Sequence, residues 1–304
     1  MSKKKMHDNE LSVTAEVVSR LISDQFPRWK DLPLHQVPSA GTDNALFNLG
    51  DEMVVRLPRI DWAVSAIEKE QRWLPFIATF LSAKVPSPVA LGAPNFEYPH
   101  KWSIYNWLPG ENPILGHIQD PNRFSLDLAN FIRDLQRIEI KGAPISNRGV
   151  PLVERDADTR SALAALVSHK ESFDLSEVLE AWEFALQLGP GAELPVWIHG
   201  DLTPGNILVN DGKLSAIIDF GSLGIGDPFA DLIVAWNLLP SSSRELFRSH
   251  MRVSDSTWKR GRGLALSVAL IQLPYYAESN PEVAENARYV INEVLVDYRG
   301  NDWK

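Results

Sequence analysis

The spacing of apolar residues divides the chain into two unlike parts. Between Thr14 and Phe26, Val18, Leu21, Ile22 and Phe26 recur at helical intervals and Pro27 stops the run, so a helix is expected there. Short strand-like runs then flank Gly50-Asp51, which predicts two antiparallel strands joined by a two-residue turn and ending in Val54-Val55-Arg56-Leu57. A second helical pattern fills "DWAVSAIEKEQRWLPFIATFL", with Asp61 as its N-cap and Pro75 kinking or ending its main part. After the stiff "VPSPV", the run "WSIYNWL" alternates as a strand does, and "PGENP" breaks it.

Beyond residue 112 helical spacing dominates. Helices are expected over 121–138, behind Asp120-Pro121, and over 157–169, 175–188, 257–277 and 281–297. One stretch interrupts them with strands: "HGDLTPGNILVNDGKLSAIIDFG", residues 199 to 221. It reads as a hairpin of Ile207-Leu208-Val209, a turn at Asn210-Asp211-Gly212, and a return strand from Leu214 to Ile218. Asn, Asp and Gly suit the turn because they tolerate positive φ. Pairing then brings Asn206 and Asp219 to the same end of the hairpin, with Asp201 five residues upstream. A chain of 304 residues exceeds the usual single core. The expected architecture is therefore α+β and two-lobed. Residues 1–104 form a small N-terminal lobe with an antiparallel sheet, 105–111 a connector, and 112–304 a larger, mainly helical lobe.

Composition changes this picture little. A hydrophobic content of 44% and a charged content of 23% belong to an ordinary globular chain. The formal net charge of −9 argues against nucleic acid, whose phosphates need a basic surface, and suits a cationic ligand better. No cysteine is present, so disulfides and thiolate chemistry are excluded. The opening "MSKKKMHDNE" has no apolar run behind it, and no stretch approaches the roughly 20 uninterrupted apolar residues of a membrane helix. The expectation is a cytoplasmic protein without a membrane partner, monomeric or homodimeric.

The hairpin poses an electrostatic question, since it gathers Asp201, Asn206 and Asp219 with no basic residue in the 201–211 loop. Carboxylate and amide oxygens at hairpin ends form a hard ligand set of the kind that holds Mg²⁺ together with waters and substrate phosphates. The same residues also suit an Asx-turn network on an exposed loop. Local pattern alone leaves both readings open.

Longer-range motifs separate them. His199-Gly200-Asp201, Asn206 and Ile218-Asp219-Phe220-Gly221 resemble the catalytic and metal-binding loops of the aminoglycoside phosphotransferase family, relatives of the protein kinases. "GIGDPFADL", "VVRLPR", "EKEQRWLP" and "YNWLPGE" look like the same family, so the resemblance covers most of residues 35–240. It implies a protein-kinase-like fold with ATP or GTP as co-substrate and Mg²⁺ as cofactor. It implies further that Asp201 orients the attacking hydroxyl or accepts its proton, while Asn206 and Asp219 hold the metal. His199 would order the loop. Ser39-Ala40-Gly41-Thr42 takes the place of the phosphate-covering loop, where small residues let backbone N–H groups approach the phosphates, so Gly41 and Thr42 would bind nucleotide. Arg56 stands where the family usually has a lysine that pairs with a helix glutamate; Glu70 is the first candidate for that partner and Glu68 the second. Arginine keeps the charge but changes length and planarity. Asn106 and Trp107, in the connector, would offer backbone groups to a purine base, with Ile207 and Leu208 as its apolar floor. Asp227 and Asp231 would brace the catalytic loop or cap the helix that follows.

Two features narrow the acceptor. Gly200 replaces the arginine of the protein-kinase motif, and only "SLGI" separates Gly221 from Gly226-Asp227-Pro228, which leaves little room for a peptide platform. A small hydroxyl compound is expected. Gln272, Tyr275, Tyr276 and Glu278 could line its pocket, although helix-core packing of the tyrosines is the stronger expectation. The first reading is an aminoglycoside-like or other antibiotic acceptor. A metabolite kinase acting on an amino alcohol or sugar, and a nucleotide-binding pseudokinase scaffold, are the alternatives.

Overall fold

A computed structural model describes residues 11–37, 43–168 and 171–300. The smaller lobe opens with α1 (Ala15–Gln25), whose Val18, Leu21 and Ile22 are buried and whose first turn is capped by Thr14. A five-stranded antiparallel sheet follows in the order β1-β2-β3-β5-β4, built from β1 (Leu34–Gln36), β2 (Asn44–Leu49), β3 (Met53–Pro58), β4 (Pro88–Gly92) and β5 (Trp102–Asn106). Alternation along β2 buries Ala45, Phe47 and Leu49 against Val55, Leu57, Trp102 and Ile104. The expected hairpin is present, but its loop is one residue longer than the Gly50-Asp51 turn. Leu49 pairs with Met53, and Glu52 leaves the ladder because its carbonyl accepts from the Trp107 N–H at 2.7 Å.

Helix α2 (Asp61–Ile77) packs across the sheet. Asp61 is its first helical residue, not its N-cap. Ile60 holds the cap position without a side-chain hydrogen bond, and the Asp61 carboxylate acts on the helix dipole and lies 3.8 Å from His100 Nε2. Pro75 does not end the helix. It sits in the last turn, where its missing N–H removes one bond and Ala78 still donates to Leu74 at 2.9 Å. Strand β4 lies at the sheet edge, where a starting proline costs no ladder bond.

The larger lobe contains α3 (Pro121–Gln136), α4 (Asp156–Leu166), α5 (Leu175–Gln187), α6 (Val234–Asn237), α7 (Ser241–Met251), α8 (Asp255–Tyr276) and α9 (Pro281–Arg299). Most lie where apolar spacing predicts, although α4 stops three residues early and the polar α7 is unannounced. Two ribbons interrupt the helices: β6 (Val196–Ile198) with β9 (Gly224–Gly226), and β7 (Ile207–Asn210) with β8 (Lys213–Ile217). The first ribbon corrects the expectation that the 199–221 stretch alone brings strands here. Trp182, Trp197, Trp236, Phe229, Leu270 and Ile291 anchor the main core. Full burial of each such side chain is worth about 1.5–3 kcal/mol. Leu74, Ile77 and Tyr105 join this core, and the Trp73 ring meets the Trp197 ring edge-on at 5.0 Å, so α2 is fastened to both lobes. Among the described residues, no helix is long and apolar enough to cross a membrane.

Candidate active site

The hairpin that gathers the acidic residues is tighter than expected. Asn210 belongs to the strand, and the turn is only Asp211 and Gly212, with φ of 49° and 70°. Two left-handed residues match the right-handed twist of the strands. Ile207 pairs with Ile217, and the Ile218 N–H donates to the Asn206 carbonyl at 2.9 Å, so Asn206 and Asp219 lie within one residue of register. Asp219 itself is left-handed at φ 60°, and its carboxylate accepts from the Gly221 N–H at 3.4 Å.

Backbone bonds lock the upstream loop onto this hairpin. Both oxygens of the fully buried Asp231 accept 2.8 Å hydrogen bonds, from the N–H groups of His199 and Gly200. The Asp201 N–H donates to His199 Nδ1 at 3.2 Å, and His199 Nε2 lies 3.1 Å from the Ile218 carbonyl. This pair of contacts requires a neutral ring protonated at Nε2. Burial, opposed by Asp231, pushes the imidazole below its ordinary pKa and favours that form. Asn206 Nδ2 donates to the carbonyl and Oδ2 of Asp201, at 2.9 and 3.0 Å. Burial pushes the Asp201 carboxyl up to about 6, with Arg148 opposing and Asp219 reinforcing the rise. Of the two bracing candidates, Asp231 holds the loop. Asp227 caps the next turn at Phe229 and lies 3.6 Å from Arg260.

From the smaller lobe, Arg56 reaches both sides of the cleft. Its Nη1 donates to the two Glu70 oxygens at 2.8 and 3.0 Å, and its Nη2 to Asp219 Oδ1 at 2.8 Å. The Tyr105 hydroxyl completes the network by donating to Glu70. Glu68, the second candidate, pairs with Lys101 at the surface instead. Burial disfavours the guanidinium's charge, yet Asp219 and Glu70 outweigh it and hold Arg56 above its ordinary pKa. Burial also works against the Asp219 charge, and Arg56 outweighs it, keeping that carboxyl below its ordinary value.

The remaining expected positions are placed unevenly. Asn106 and Trp107 lie at the end of β5, but their N–H groups already donate to Ser87 and Glu52 carbonyls. Ile207 is fully buried in the main core, and Leu208 is 8% exposed. Gly41 and Thr42 lie outside the described residues. Gln272 lines a small crevice with Thr203, Asn237 and Asn286, beside the loop that carries Asp201. Tyr275 is 53% exposed and meets Tyr276 edge-on at 4.8 Å, so it stands outside the core that the sequence favoured for it. Two charged groups were missed. Arg148 and Asp43 both act on Asp201, and each comes from a loop that no local pattern connects to the hairpin.

The donor set fits a divalent hard cation. Asn206 spends its amide N–H groups on Asp201, which leaves Oδ1 as its outward acceptor, and Asp219 keeps Oδ2 beyond the Arg56 contact. Among the described residues no group of three His, Cys, Asp or Glu side chains surrounds this point. Two protein oxygens, completed by phosphates and water, are the usual arrangement for Mg²⁺.

A two-lobed, protein-kinase-like fold, with an acidic hairpin facing a cation from the sheet, defines the class. The sequence model of the phosphotransferase enzyme family (APH) matches residues 35–264, and the chain belongs to that family. It is 29% identical over 157 residues to an aminoglycoside 3′-phosphotransferase of Salmonella typhimurium, covering 49% of this chain and 58% of that protein. An Escherichia coli aminoglycoside 3′-phosphotransferase is 32% identical over 120 residues, 37% of this chain and 42% of the relative. The aligned part thus spans roughly half the length of these curated relatives. Among solved structures, the GDP complex of wild-type aminoglycoside 2′-phosphotransferase-IIIa superimposes with a TM-score of 0.70, covering 94% of this chain and 100% of that one at 17% identity. A macrolide 2′-phosphotransferase from Brachybacterium faecium gives a TM-score of 0.59 over 91% and 97% of the two chains at 20% identity. These likenesses establish the fold.

Proposed function

We propose that the protein transfers the γ-phosphate of ATP or GTP to a hydroxyl of a small molecule, an aminoglycoside-like or other antibiotic. One observation carries the reading: Asp201 is bonded through the Asn206 amide to the hairpin whose other end presents Asp219, with Arg56 bonded to Asp219 from the opposite lobe. Phosphoryl transfer asks for positioning and charge neutralisation more than for covalent help. Asp201 orients the acceptor hydroxyl and takes its proton, a role that a carboxyl near pKa 6 suits. Asn206 and Asp219 are the residues that would hold Mg²⁺, which neutralises phosphate charge when bound. Arg56 is placed to exchange part of its bonding from Asp219 to phosphate oxygens, and Glu70 keeps it oriented.

On the base side, Asn106 and Trp107 contribute their chain path rather than their N–H groups. Use of ATP or GTP would suit a cytoplasmic protein, since those donors are held there. The named relatives support the antibiotic acceptor, and Arg148 beside Asp201 favours the second reading, a metabolite kinase on the same machinery. Joint retention of Asp201, Asn206 and Asp219 argues against a scaffold. Replacing Asp201→Ala tests the assignment. Phosphate transfer, followed by mass shift across a panel of hydroxyl compounds with ATP and GTP, should fall at least about 10²-fold. Nucleotide binding by calorimetry should persist, and unchanged turnover would reject the role.

A further inference from the structure

The loop before α4 reaches the acceptor side of Asp201 and leaves an arginine there. Ser146 N–H donates to the Ile225 carbonyl at 2.9 Å, Ser146 Oγ to the Ser222 carbonyl at 2.8 Å, and the Arg148 N–H to Ser146 Oγ at 3.1 Å. These bonds pin residues 144–149 against β9 and the catalytic loop. Gly200 adopts φ +80°, and a Cβ there would stand 3.1 Å from the Arg148 Cβ and equally close to Ser222. The absent side chain at 200 therefore leaves the space along which Arg148 runs.

The charge of Arg148 is felt by Asp201, by Tyr276 at the end of α8, and by Arg155, which locates it on the side of Asp201 turned toward α8. Arg148 is exposed, and among the described residues neither it nor Arg155 forms an ion pair. Arg155 donates to Ser267 at 3.0 Å and adds a second positive charge behind the first. Asp43 also acts on both Asp201 and Tyr276, and accepts from Trp62 at 3.1 Å.

We infer that Arg148 is a specificity-determining residue that binds an anionic group, such as a carboxylate, carried by the acceptor next to its reacting hydroxyl. The inference rests on the phosphotransfer reading only in taking this side of Asp201 as the acceptor side. An unpaired guanidinium at the edge of a cleft attracts a carboxylate and repels an ammonium, and it forms two parallel hydrogen bonds only with the former. The acceptor class is a hydroxy acid or a zwitterionic hydroxyl compound, set apart from a bare polycation.

The test titrates the full chain, saturated with a non-hydrolysable ATP analogue and Mg²⁺, with glycerate, glycerol and 3-amino-1,2-propanediol. These three-carbon hydroxyl compounds are anionic, neutral and cationic. Glycerate should bind about tenfold more tightly than the other two, and Arg148→Ala or Arg148→Glu should remove that advantage while R148K retains part of it. Nucleotide affinity and melting temperature should stay at parent values, because the side chain is exposed and has no ion-pair partner. Equal affinity for the three compounds, tighter binding of the amine, no binding at all, or glycerate binding unchanged in R148A would overturn the inference. A separate transfer assay with these compounds, an aminoglycoside and a macrolide distinguishes the failure of the underlying reading. A blank there, with the charge preference intact, rejects phosphotransfer and leaves the anion site standing.

Discussion

The bond network Tyr105–Glu70–Arg56–Asp219 lets the departure from lysine be tested by a double-mutant cycle on stability. Glu70 is 1% exposed, and its one cationic partner in this network is Arg56, with both carboxylate oxygens engaged. At 2.8 Å and an effective dielectric constant near 20, each Arg56–carboxylate contact represents about 6 kcal/mol of gross Coulomb attraction, most of it offset by desolvation. Removing one partner leaves the other charge buried, so Arg56→Met should cost about 3–5 kcal/mol. Glu70→Gln should cost about 1–3 kcal/mol, since the amide oxygen still accepts from Tyr105. In the double variant no uncompensated charge is left at position 70, and its loss should be smaller than the sum of the singles by about 2–3 kcal/mol. Urea unfolding followed by tryptophan fluorescence and by circular dichroism measures each corner. Strict additivity within about 0.5 kcal/mol would refute the argument that the pair is held by mutual burial.

Two further outcomes follow from the same bonding. Asp231→Asn replaces one of the two acceptors on the catalytic loop with a donor facing an N–H group, and should destabilise by about 2–3 kcal/mol while lowering kcat more than KM; equal stability in thermal melts would remove Asp231 as the brace. Glu193 is pulled down to about 2 because hydrogen bonds from Thr257, Ser254 and Arg260 outweigh its burial. Its folded pKa lies below its unfolded one, so its contribution is complete above about pH 4.5 and is lost as pH falls toward 2. With its side chain 31% exposed, screening reduces that contribution to about 1–2 kcal/mol, and Glu193→Gln should flatten the acid limb of a stability–pH curve; an unaltered limb would count against it.

What the sequence made legible follows the range of each interaction. Helices α1, α3, α5, α8 and α9 declare themselves because an apolar stripe or an apolar run and a capping residue lie within one segment. Strands β6 and β9 have three residues each and exist only through pairing across some 28 positions, as Trp197 with Ile225, so no local period marks them. The hairpin was readable for the opposite reason, since its turn and both strands are contiguous. Glu70 shares the buried face of α2 with Ala63, Ala66, Ile67 and Leu74, whereas Glu68 turns outward, and helical spacing is enough to separate them. Arg148 could not be found that way. Its place beside Asp201 depends on Ser146 meeting Ile225 and on the missing Cβ of Gly200, two contacts between loops far apart in sequence.

These contacts divide the site into a rigid half and an adjustable half. Asp201, Asn206, His199, Asp231 and Arg148 all belong to the larger lobe, and the neutral His199 ring spans the Asp201 N–H and the Ile218 carbonyl. A protonated ring could not accept from Asp201, so burial of His199 fixes the spacing between catalytic loop and hairpin without any acid–base role for the histidine. Glu70 and Arg56 belong to the sheet and α2, and the Arg56–Asp219 bond is where that half meets the hairpin. On the proposed phosphotransfer reading, acceptor geometry is thus set inside one packed lobe, whereas donor geometry depends on how the lobes meet. A change in lobe closure would then act on nucleotide and metal affinity before it reaches the Asp201 side.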